Sequence, residues 1–114
     1  MPINRQFTLA PGEAAVIEGT GLRVQFVNVT GDSRCPADAL CIWIGDAIVH
    51  VRVLDGTRAS DYDLHTADVS TGNPQRATVV HGGIRIALVG LQPYPFSNRP
   101  IQPSDYRASM EVRR

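Results

Sequence analysis

Any chemistry in this chain would have to rest on three histidines, two cysteines and a scatter of acids. Asp61, Asp63 and His65 alternate along one segment. On an extended strand they share one face, with neighbours about 6.5–7 Å apart. Such a row could seed a divalent-metal site if a second strand supplied ligands; the plainer reading is a solvated face balanced by Arg58. His50 and His81 remain to complete a three-histidine set, and nothing in their spacing joins them. A blue-copper centre needs two His, a Cys and usually an axial Met. Cys35 and Cys41 admit three readings: a disulfide, half of a metal site, or unrelated thiols. Zinc usually takes four ligands with close C-x2–4-C pairs, and a catalytic thiol wants a base and an electropositive setting. Neither is visible locally, so a disulfide is expected. Gly31-Asp32-Ser33 has the letters of a serine-hydrolase motif without its strand–turn–helix context or partner base. Asp32 and Ser33 read as turn formers. No acid–base pair emerges, and the expectation is a non-enzymatic protein with no cofactor and no structural metal.

The aromatics offer a different chemistry. Trp43 shares a period-two row with Cys41, Gly45 and Ala47. Those small neighbours leave room for a large ring, so burial beside the cystine is expected rather than a ligand platform. Tyr94 and Phe96 stand between Pro93, Pro95 and Pro100. Proline presets an extended backbone with little ordering entropy. The two rings are read either as a plug in an open end of the fold or as partner-binding residues.

The elements that must position these residues are strands. Apolar alternation and turn punctuation recur along the chain, and helix signals are nearly absent. Gln6–Ala10 and Glu13–Glu18 flank Pro11-Gly12, and Leu22–Val29 alternates until Val27 and Val29 break the phase, as a bulge would. Cys41–Leu54 reads as one long strand with Ala47, Val49, Val51 and Val53 inward and Asp46, His50 and Arg52 outward. Ala59–His65 turns Tyr62 and Leu64 inward. Asp68–Gln75 reads as loop, Ala77–Val80 and Ile84–Leu91 as a hairpin across His81-Gly82-Gly83, and Tyr106–Val112 as the closing strand. Gln92–Ser104 holds four of the eight prolines and reads as an extended crossover. These elements predict one all-β domain over residues 1–114: a two-sheet antiparallel β-sandwich, Ig-like or a related Greek key, of about seven or eight strands with a small disulfide loop.

Composition narrows the function classes. The charge is balanced, with 11 basic and 11 acidic residues, and every basic residue is Arg. A nucleic-acid binder normally carries a basic stripe, so none is expected as partner. The absence of Lys excludes lysine-based Schiff-base chemistry. No apolar run nears the ~20 residues of a transmembrane helix, and Met1-Pro2-Ile3-Asn4-Arg5 has no apolar core of a signal peptide.

Asp32-Ser33-Arg34-Cys35-Pro36, followed by Cys41-Ile42-Trp43-Ile44-Gly45-Asp46-Ala47, resembles a stretch of small exported or lipid-anchored bacterial proteins of largely uncharacterised function. The resemblance extends weakly to the Phe7 strand, to Leu91-Gln92-Pro93-Tyr94-Pro95 and to Asp105-Tyr106. It implies an exported β-sandwich with a disulfide loop and brings no activity with it. The resulting expectation is a binding or structural domain for a protein or cell-envelope component. It would be periplasmic, extracellular or lipid-anchored with its leader absent from the sequence, or else cytoplasmic. The alternative is a metal-binding protein or small metal-dependent enzyme using Asp61, Asp63 and His65.

Overall fold

Eight strands carry the alternating segments: β1 (Gln6–Leu9), β2 (Ala14–Ile17), β3 (Leu22–Asp32), β4 (Ala47–Asp55), β5 (Arg58–His65), β6 (Thr78–His81), β7 (Ile84–Gln92) and β8 (Arg107–Arg113). The computed structural model describes residues 5–71 and 74–113. The start of the chain weighed above for an export signal, residues 72 and 73 of the expected Asp68–Gln75 loop, and Arg114 lie outside the described residues. All pairings are antiparallel, in two four-stranded sheets ordered β1-β8-β7-β6 and β2-β3-β4-β5. The expected sandwich is present. Within the sheets β2 to β5 and β6 to β8 run as sequential neighbours, β1 lies beside β8, and the chain changes sheet between β1 and β2 and between β5 and β6.

The period-two rows explain the core. Val24, Phe26, Val49, Val51 and Val53 from one sheet meet Phe7, Ile86, Leu88, Met110 and Val112 from the other, all buried. Each such side chain fully removed from water contributes roughly 1.5–3 kcal/mol. The phase slip in β3 is a real irregularity, with register shifts between Phe26 and Asn28 and between Val29 and Gly31. One flank of the sandwich is bridged at Pro11-Gly12, where the Gly12 amide donates to the Phe26 carbonyl. The other flank is bridged by Tyr62, whose hydroxyl lies 2.9 Å from His81 Nδ1.

The two ends of the sandwich differ. One is built of tight turns; Gly82 and Gly83 both take positive φ, +56° and +80°, the conformation a two-residue type I′ hairpin requires. The other end carries the three long connections: 33–46, 66–77 and 93–106.

Three expectations are corrected at that loop end. The strand expected over Cys41–Leu54 starts only at Ala47. Gly45, with φ +73°, breaks it; a Cβ there would overlap the Ser33 carbonyl oxygen and sit 2.7 Å from Arg34 Cα. Trp43 therefore leaves the inward row, and it is 66% exposed instead of buried beside the cystine. The segment read as loop from Asp68 contains the end of a short helix, α1 (Thr66–Ser70), and a 3-10 turn, Pro74–Arg76. No side chain at its own N-terminus caps α1. Asp46, twenty-one residues before Ala67, does so by accepting the Ala67 amide at 3.0 Å.

Candidate interaction surface

The loop after β3 continues the sheet's pairing before it turns. The Ser33 amide donates to the Asp46 carbonyl and the Cys35 amide to the Ile44 carbonyl at 2.9 Å. Beyond that base the expected bond joins Cys35 to Cys41, with a 2.04 Å S–S distance. The arms are thus closed by hydrogen bonds at the root and by a covalent bond at the neck. Leu40 and Ile42 stand fully exposed on this loop, Trp43 largely so and Ile44 about half.

The proline-rich crossover packs beside it. The Ala37 amide donates to the Pro95 carbonyl at 2.8 Å. The Ser97 amide and hydroxyl both donate to the Asp38 carboxylate, and these bonds hold the Asp38 carboxyl below its ordinary range. Tyr94 and Phe96 are 54% and 43% exposed, neither sealed into the core nor free of it. With Ala37, Pro93, Arg99 and Ile101 they line an open groove of about 580 Å³. The Arg99 guanidinium lies 5.6 Å from the Phe96 ring centre, a cation–π distance.

Beneath this surface is a group the sequence did not single out. Arg34 is almost wholly buried, and its guanidinium makes a two-pronged ion pair with Asp32 through Nε and Nη2, at 2.9 and 2.8 Å. The same guanidinium donates to the Leu91 carbonyl at 2.8 Å and the Pro93 carbonyl at 2.9 Å, and lies 5.4 Å from the Tyr94 ring centre. Tyr106 donates its hydroxyl to Asp32 at 2.8 Å. Burial pushes the Asp32 carboxyl up, but the bonds from Arg34 and Tyr106 outweigh it and hold the carboxyl below its ordinary value. Burial and the Asp32 carboxylate push the Tyr106 hydroxyl up to about 12. One charged cluster therefore pins the root of the cystine loop, the start of the crossover and the approach to β8.

The expected metal residues are placed elsewhere. Asp61 and Asp63 do share the outer face of β5, but they bind His50, at 3.1 and 2.8 Å, and Asp61 also pairs with Arg52. The bonds from Arg52 and His50 lower the Asp61 carboxyl to about 2, and Asp63 first, with Asp61, raises the His50 imidazole. His65 turns away to Asp46 Oδ2 at 2.6 Å. Asp46, expected on the wet face, is largely shielded between His65 and α1. His81 is held by Tyr62. Among the described residues no three His, Cys, Asp or Glu side chains gather as a metal site, and none of the three histidines lines the grooves beside the cystine loop. No helix among the described residues is long and apolar enough to cross a membrane. No protein-family model, curated protein or solved structure matches the chain.

Proposed function

We propose that this chain is a non-enzymatic exported binding domain that meets a protein or cell-envelope component with its loop end. One observation carries the reading. Among the described residues eight large apolar side chains are exposed, and six of them belong to the cystine loop and the crossover: Leu40, Ile42, Trp43, Ile44, Tyr94 and Phe96. Exposed apolar side chains concentrated at one end mark interaction sites on folded domains, and aromatic residues dominate the energetics of such contacts. Rigidity supports the same reading, because a braced loop loses little conformational entropy on binding. The cystine supports an oxidising, extracytoplasmic setting.

The test places a photoreactive phenylalanine analogue at Leu40, at Phe96 or, as control, at Val80 on β6, and irradiates the protein with the envelope fraction of its native host. Adducts are expected at Leu40 and Phe96, absent at Val80, and lost when Ile42→Asp and Trp43→Ala are added. Equal labelling at all three positions, or none, would overturn the reading.

A further inference from the structure

We infer that the cystine loop is a lipid-surface insertion element, its tip entering the boundary between headgroups and acyl chains. The inference rests on the binding reading above and names the occupant. From Ala39 to Gly45 no side chain carries a charge, and four of these residues, Leu40, Ile42, Trp43 and Ile44, are exposed. Acids bound this run in sequence, Asp38 before it, with its two bonds from Ser97, and Asp46 after it. An uncharged, exposed apolar run that carries a tryptophan suits the boundary between a bilayer's hydrocarbon and its headgroups. Shape favours the same occupant. Leu40 and Ile42 project beyond the loop and are fully exposed, whereas a protein partner would need a matching cavity to receive so convex a tip. The disulfide and the Cys35–Ile44 hydrogen bond hold the tip in this form before it meets a surface.

The charge pattern also specifies which lipid. Arg34 is committed to Asp32, Arg76 to Asp68, and Arg107 to backbone carbonyls. Among the described residues Arg99, over Phe96, is the arginine beside this loop, and one guanidinium gives anionic headgroups little special attraction. Zwitterionic phosphatidylcholine suffices, and binding is insensitive to salt. Four apolar side chains place the partition constant near that of a single acyl chain, on the order of 10³–10⁴ M⁻¹.

The experiment uses the full oxidised chain with phosphatidylcholine vesicles at millimolar lipid. Expected are co-flotation of at least half the protein and a shift of the emission of Trp43, the single tryptophan, to shorter wavelength, both unchanged in 0.5 M salt. The Leu40→Asp/Ile42→Asp variant replaces side chains that are fully exposed, so its melting temperature should match the parent while its partitioning falls about tenfold or more. Absence of co-flotation and of the emission shift, equal partitioning by the variant, or loss of binding in salt would each overturn the inference. If the parent ignores vesicles while the Leu40 photoprobe still forms a protein adduct, the lipid is wrong and the binding end stands; if both fail, both readings fall.

Discussion

Replacing Arg34 by Met should unfasten the loop end from below. Met keeps the aliphatic stem and removes the charge, leaving the Asp32 carboxylate with the Tyr106 hydroxyl and the residue-34 amide in a site where the ion pair's side chains are 6% and 14% accessible. Removing one member of a buried pair typically costs about 3–5 kcal/mol, because the remaining charge stays desolvated. The carbonyls of Leu91 and Pro93 lose their donors in the same step. For a domain of this size about 1 kcal/mol corresponds to roughly 4 °C in melting temperature, so a drop of about 12–20 °C is expected. Urea denaturation should be run for Arg34→Met, Asp32→Asn and the double variant. The double variant should be less destabilised than the sum of the singles by about 2 kcal/mol, the signature of direct coupling. The pH dependence supplies a second readout. The folded protein holds the Asp32 carboxyl below 3.8, so its contribution is complete above that value and is lost as pH falls through the lower folded-state value. Arg34→Met should abolish that part of the acid sensitivity. A loss under 1 kcal/mol, or strict additivity in the cycle, would refute the clamp.

Gly45→Ala should lower stability by about 2 kcal/mol or more in a thermal melt, from the positive φ and the overlap with Ser33; an unchanged melt would contradict the geometry that ends β4. Tyr106 is predicted to make the fold sensitive to alkali. Its hydroxyl is raised from 10 to about 12, so the stabilisation is whole below pH 10 and lost as pH climbs through that window. Tyr106→Phe should remove this loss, measured as urea midpoints at pH 9, 10.5 and 12.

The strands were legible because alternation is a local property: Val49, Val51 and Val53 announce their face without help from the rest of the chain. The same rule misled at Trp43. An odd-numbered row running from Cys41 to Val53 looks unbroken, and only the positive φ at Gly45 shows that its first members belong to a loop. Tyr94 and Phe96 were readable as near-surface aromatics, since prolines on either side bar them from a central strand. Arg34 was not readable. Its carbonyl acceptors lie 57 and 59 residues away, and an arginine beside an aspartate near a turn looks solvated until the carbonyls that surround it are known. Helix α1 escaped for a related reason, because its N-terminal amide is satisfied by the Asp46 carboxylate, just ahead of β4, rather than by its own neighbour.

The pairing of β1 with β8 has a consequence for orientation. Gln6 lies opposite Glu111, and Arg113 opposite Arg85 near the Gly82-Gly83 hairpin. The first residues of β1 and the last of β8 therefore lie at the tight-turn end, pole to pole from the cystine loop. A molecule tethered by either terminus holds its apolar tip away from its own anchorage, like a lamp on a post. Such a tether would put about one strand length between the anchorage and the cystine loop.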